Sequence, residues 1–307
     1  MGTELFANEG PQWYGASGAP VAPAPVATDL PAGDGQSRLA ACVMTDAERY
    51  TSLTEGMEPR KVVTLVNSYF TALFGPVLEH GGRVVDVKGD GILAIWIADA
   101  PDAEVRGRVC EGCLAIAQAV DRFNAANPAA RLPTRIGVDY GPIALANVGA
   151  LARYEYRAVG ETVNTSSRLE QLNKDLGTRL LVSAPLAEGV KGFLFRDLGG
   201  FTLRGKQSPL RVLELVAQRA TAQRPQIDLC EAFASALAKF ERGNVEGARR
   251  EFAALRARYP SDGPARYYAR RCETLARHRG FPAAVSLDYP YLPARGNPGS
   301  LCGAEQP

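Results

Sequence analysis

Asp46 closes the apolar run Leu39-Ala40-Ala41-Cys42-Val43-Met44 and opens Asp46-Ala47-Glu48-Arg49-Tyr50-Thr51. Asp90 lies in the Gly-flanked turn Gly89-Asp90-Gly91, between the β-type runs Val84-Val85-Asp86-Val87 and Ile92-Leu93-Ala94-Ile95-Trp96. A carboxylate at a strand end or in a turn contributes little to packing, so it is open either to a cation or to solvent. The two histidines, His80 and His278, leave little room for a His-based triad or a multi-His cage. A metal site would therefore use carboxylates, which suits Mg²⁺ or Mn²⁺ rather than Zn²⁺. Farther on, Asn164 and Arg168 stand four apart in the helical run Val163-Asn164-Thr165-Ser166-Ser167-Arg168-Leu169-Glu170, so they share one face. The plainer alternatives are two solvated loop carboxylates and a helix face on which Arg168 pairs with Glu170 or Glu161.

Composition narrows the class. Apolar residues make up 46% and charged residues 22%, the balance of an ordinary globular protein. A net charge of +2, with basic residues dispersed, carries no nucleic-acid signature. Cys110-Glu111-Gly112-Cys113 has CxxC spacing but falls in a helical pattern without a second pair. Buried, reduced thiols are expected there, and a reducing cytoplasmic compartment with them. No run reads as the ~20 apolar residues of a membrane span, and the start lacks the regions of a signal peptide.

The elements that must position these residues follow from periodicity. Residues 1–37, rich in Gly, Pro and Ala, read as a disordered leader. A domain over 38–217 begins with a buried strand at 39–45 and an amphipathic helix at 59–79, opened by Pro59. It continues with a hairpin at 83–97, a helix at 102–126 and a second hairpin, 134–139 with 142–148, turning at Tyr140-Gly141. A helix at 162–175 and strands at 179–183, 193–198 and 208–217 complete it. The order predicts an α+β fold: a ferredoxin-like, antiparallel-rich sheet with helices on one face. A polar linker at 218–227 precedes a small helical appendage, 228–279, similar to one tetratricopeptide-type unit and open to a protein partner. Residues 280–307 read as a disordered tail.

From about Leu39 to about Val216, these separated motifs in this order resemble the class III adenylate/guanylate cyclase catalytic domain. The resemblance implies attack of a ribose 3′-hydroxyl on the α-phosphorus of ATP, or of GTP, with loss of pyrophosphate; the alternative of another class is a catalytically silent nucleotide-binding module that signals through the C-terminal helices. It assigns two Mg²⁺ or Mn²⁺ ions per site to Asp46 and Asp90, and transition-state roles to Asn164 (ribose) and Arg168 (α-phosphate). The family's Gly-Phe-Thr run after the first Asp is Arg49-Tyr50-Thr51 here. Tyr50 and Thr51 then lie by the phosphates, although Tyr50 is equally a core residue, and a small residue is lost at 49. Arg211 in the last strand is a looser match to a phosphate contact, and Lys206 looser still.

The base-reading positions depart from the family pattern. Asp86 stands where adenylate cyclases carry Lys, and Arg157 where they carry Asp or Thr. The pair could read adenine in reversed assignment, could read guanine, or could bind each other and read nothing. The resemblance further implies a C₂ homodimer with shared sites, in which Leu151-Ala152-Arg153-Tyr154-Glu155-Tyr156 forms the crossing arm.

Overall fold

The computed structural model describes residues 34–277 except 99, 151–152 and 207, together with Trp13–Tyr14 (β1) and Pro20–Val21 (β2), which pair antiparallel. The remaining elements are β3 (Asp34–Ala47), α1 (Tyr50–Thr54), α2 (Pro59–Glu79), β4 (Arg83–Lys88), β5 (Gly91–Ala98), α3 (Ala103–Ala126), β6 (Thr134–Ala150) and β7 (Arg153–Val159). They continue through α4 (Glu161–Leu176), β8 (Leu180–Ser183), α5 (Ala184–Ala187), β9 (Phe193–Phe201), β10 (Leu210–Gln218), α6 (Arg224–Glu241), α7 (Val245–Arg258) and α8 (Gly263–Arg277).

The main sheet runs β4-β5-β3-β6-β8-β10-β9, with β7 paired to the far half of β6. Among the described residues, only β6 and β8 pair parallel; the other pairs of this sheet are antiparallel. This is the α+β sheet the sequence predicts. Strand alternation sends Ala41, Val43, Ala94, Trp96, Ile136 and Val138 to one face, under α2 and α3. Ala40, Cys42, Met44, Leu93 and Ile95 point to the other face, where Val163 of α4 packs. The sheet thus carries a helix on that side too.

Helix α2 has the length, and a mean hydropathy of 1.3, that a membrane span would need, which amends the composition-based reading. Its Leu65, Tyr69, Leu73 and Val77 are committed to the core. Cys110 and Cys113 are free and buried on α3, and burial pushes the Cys110 thiol up to about 12.

The hairpin expected at Tyr140-Gly141 does not exist, because β6 runs unbroken from Thr134 to Ala150. Gly141 is small for another reason: a β-carbon there would lie 2.8 Å from Oγ1 of Thr162. The glycine admits the N-terminus of α4 rather than turning the chain. The hairpin is instead β6–β7, whose turn at 151–152 falls outside the described residues. Beyond Ala146, the last residue of β6 paired with β3, β6 and β7 continue as a two-stranded arm to the Ala150–Arg153 pair.

The C-terminal helices are built into the sheet. Phe233, Leu237, Phe252, Tyr268 and Cys272 share a core with Leu169, Leu172 and Leu176 of α4 and with Leu198 and Val212. Buried Arg196 on β9 is bound by Glu214 and, at 2.6 Å, by Asp262 at the entrance to α8. Helix α6 begins at Arg224 through a Gln223–Gln226 capping box, so the polar stretch 218–227 contains its first turn.

Candidate active site

Three local devices bring Asp46 and Asp90 together. Gly89 takes φ +59 in the β4–β5 turn, a conformation costly for a side-chain-bearing residue. A β-carbon on Gly91 would lie 1.9 Å from the carbonyl oxygen of Thr45, so only glycine lets the turn reach the end of β3. Ile92 then donates its backbone N–H to Oγ1 of Thr45 at 3.0 Å. Asp90 accepts a hydrogen bond from the Ala47 backbone.

Burial first, and the Asp46 charge second, raise the Asp90 carboxyl above its usual range. Two carboxylates held this close repel, and a divalent cation between them would relieve the repulsion. Two carboxylates with room for water and substrate oxygens fit Mg²⁺ or Mn²⁺. Among the described residues, no group of three or more His, Cys, Asp or Glu is placed to hold a metal ion.

Beside Asp46 opens a cavity of about 250 Å³ lined by Met44, Thr45, Asp46, Lys88, Val163, Asn164, Ser167, Glu170 and Gln171. Asn164 thus shares a wall with Asp46 in one chain. Arg168 does not line the cavity. It pairs with Glu161 at 3.2 Å, one of the two partners considered from sequence, and Lys206 meets the same Glu161 at 3.4 Å.

Helix α4 is set by its start. Thr162 donates to the Pro142 carbonyl at 2.9 Å. A β-carbon on Gly137 would sit 2.1 Å from the Glu170 backbone nitrogen, so β6 and α4 lie in direct backbone contact.

Asp86 is ion-paired with Lys88 at 3.8 Å, and Arg157 is exposed on β7. Tyr50 packs against the core, while Thr51 is exposed. Arg49 adopts φ 63, the one positive φ at a non-glycine among the described residues, where the family pattern has glycine. Arg211 is held by Asp197 at 2.6 Å and Glu241 at 3.1 Å; it is absent from the cavity and fastens α6 to the β9–β10 hairpin.

Two charged residues that line the cavity, and a third behind them, escaped the sequence reading in this role. Lys88 lines it two residues from Asp86, on the same side of the strand. Glu170, buried on α4, is raised to about 7 by burial first and by Asp46 second, against the lowering effect of Arg135. Arg135 joins Asp46 and Glu170. Helical spacing from Val163 through Ser167 to Glu170 could have flagged Glu170; no local spacing flags Arg135.

The family model described as "Adenylate and Guanylate cyclase catalytic domain" matches residues 36–218. Adenylate cyclase 1 of Rhizobium meliloti (strain 1021) is 35% identical over 178 residues, 57% of this chain and 27% of that protein. The adenylate cyclase of Anabaena cylindrica is 24% identical over 200 residues, 62% of this chain and 39% of that protein. The chain thus spans well under half the length of either relative. Among solved structures, a bacterial light-regulated adenylyl cyclase superposes with TM-score 0.52 at 25% identity, over 64% of this chain and 99% of that one. The guanylyl cyclase Cya2 gives 0.53 at 24% identity, over 62% and 98%; at that identity the likeness speaks for the fold alone.

Proposed function

We propose that this chain, which belongs to the adenylate and guanylate cyclase catalytic domain family, converts ATP to 3′,5′-cyclic AMP and pyrophosphate for signalling. Nucleotide cyclisation comes with the family. The choice of ATP is our reading, supported by the adenylate cyclases among the similar proteins. The observation that carries it is the Asp46 carboxylate lining the cavity, with Asp90 near enough that the Asp46 charge raises its carboxyl.

In this reading Asp46 and Asp90 would hold two Mg²⁺ or Mn²⁺ ions, with water and substrate oxygens completing their ligands. Such ions neutralise the triphosphate and lower the pKa of the ribose 3′-hydroxyl. Asn164, exposed on α4, orients the ribose. Arg168 donates to the α-phosphate oxygens as charge builds there, a task suited to its planar set of donors. Its pair with Glu161 is solvent-facing, with side-chain exposures of 27% and 59%. Exposed pairs are worth only about 0–1 kcal/mol, so a phosphate can take the guanidinium over.

We further propose a homodimer with composite sites. The β6–β7 arm projects past β3, and Val87 and Val159 expose 43% and 49% of their surface, as a second copy would require. A guanylate cyclase is the second reading, favoured by acidic Asp86 at the first base-reading position.

The test is incubation of the purified chain with each of the four nucleoside triphosphates and Mn²⁺, followed by product identification by mass. Cyclic AMP from ATP is expected, with turnover lost in Asp46→Asn, which keeps an acceptor for Arg135, and in Asp90→Ala, while melting is unchanged. Cyclic GMP alone would select the second reading. No cyclic product, or turnover above about a tenth of wild type in both variants, would overturn the two-metal assignment.

A further inference from the structure

Asp46 and Arg135 are direct partners across the antiparallel β3–β6 ladder, so backbone register alone sets their side chains on one face. Arg135 Nη2 donates to Asp46 Oδ2 at 2.5 Å, and its Nε donates to Glu170 Oε1 at 3.0 Å. The Arg135 and Glu170 side chains are 15% and 7% exposed. Charges this enclosed are tolerated only when paired, and removing one partner strands the others. A carboxylate gripped at one oxygen has a fixed plane and keeps its second oxygen for a cation. Glu170 accepts from the neighbouring Nε of the same guanidinium, and it belongs to the helix that carries Asn164 and Arg168.

We infer that Arg135 is a positioning residue: it fixes the Asp46 carboxylate for the metal, with Glu170 as its anchor on α4. The inference rests on the reading of Asp46 as a metal ligand. Guanidinium geometry is essential to it, because a rigid planar fork holds two carboxylates in fixed directions and a rotatable ammonium does not. In the proposed dimer the same fork ties the carboxylate end of one site to the helix whose Asn164 and Arg168 serve the other.

The test combines turnover with Mn²⁺ binding to the nucleotide-free protein, followed by electron paramagnetic resonance, and with thermal melting. Arg135→Gln removes a cation that competes beside Asp46, so Mn²⁺ affinity should rise about threefold to tenfold. Turnover at saturating Mn²⁺ should nevertheless fall about tenfold or more, because the carboxylate has lost its fixed orientation. Arg135→Lys should keep wild-type Mn²⁺ affinity and still lose turnover about fivefold. Glu170→Gln keeps an acceptor oxygen and should lower turnover with Mn²⁺ binding retained; it carries the test alone if the Arg135 variants fail to fold.

Wild-type turnover in the Arg135 variants, or in Glu170→Gln where those do not fold, overturns the inference. So does a loss of Mn²⁺ affinity that tracks a drop in melting temperature, since that describes a structural support. Asp46→Asn separates the two levels. If it binds Mn²⁺ as wild type does, the metal reading falls and this inference with it; if it loses Mn²⁺ while the Arg135 variants behave as wild type, only this inference falls.

Discussion

Gly263, the first residue of α8, packs against Leu176, the last residue of α4, so closely that a β-carbon on Gly263 would lie 2.0 Å from the Leu176 carbonyl oxygen. The neighbouring Gly177 carbonyl would be 2.7 Å away. Both obstacles are backbone, which cannot swing aside. Helix α8 is thereby seated on the end of the helix that carries Asn164 and Arg168, and the shared core of Leu172, Leu176, Ala265 and Tyr268 continues the contact inward.

Gly263→Ala should therefore destabilise the protein by about 1–3 kcal/mol, the cost of overpacking. At about 2–4 °C per kcal/mol for a domain of this size, the melting temperature should drop several degrees. Turnover should fall as well, because α4 must shift, while Mn²⁺ binding at Asp46 and Asp90 persists. Unchanged melting would mean that α8 does not sit on α4 this closely.

Arg49 gives a second prediction. Its φ of 63 and ψ of 19 cost a non-glycine residue about 1–2 kcal/mol, partly offset by the greater freedom glycine brings to the unfolded chain. Alanine would suffer the same strain as arginine. Arg49→Gly should therefore be more stable than Arg49→Ala by about 1 kcal/mol in urea unfolding. The reverse order would show that the backbone at 49 is not left-handed.

What the sequence revealed was what local chemistry encodes. Apolar periodicity announced β3, α2, α3 and α4, and Gly-flanked Asp90 announced the β4–β5 turn. Gly141 was misread because, in one dimension, a glycine that turns the chain and a glycine that admits a helix look alike. Only the approach of Thr162 distinguishes them. Arg135 was invisible for a related reason: its link to Asp46 depends on strand register across 89 residues of chain. Arg211 was drawn toward phosphate by its place in the last strand, yet Asp197 and Glu241 hold it. Glu241 belongs to α6, outside the region the resemblance covers.

Base choice yields a third prediction. The proposal is that Asp86 and Arg157 face the nucleobase, with charges exchanged relative to the adenylate pattern. Asp86→Lys alone sets two cations at one base edge, and Arg157→Asp alone sets two anions there. Each single variant should lose more kcat/KM for ATP than the double, with a coupling energy of about 1–3 kcal/mol. A wild type that prefers GTP and a double variant that shifts to ATP would select the guanylate reading. Strictly additive effects with unchanged base preference would remove both residues from base recognition. Asp86 would then be left to its pair with Lys88.

The account stands most directly on one mixing experiment. Asp90→Ala and Arg168→Ala chains should each be inactive alone. Mixed in equal amounts and allowed to exchange subunits, they form heterodimers in which one site takes Asp46 and Asp90 from one protomer and Asn164 and Arg168 from the other, all intact. With half the dimers mixed and one of two sites restored in each, recovery should approach about a quarter of wild-type turnover. Heterodimers that form and stay inactive would contradict the composite site. They would place the whole reaction within one chain, at the cavity where Asp46 and Asn164 already share a wall.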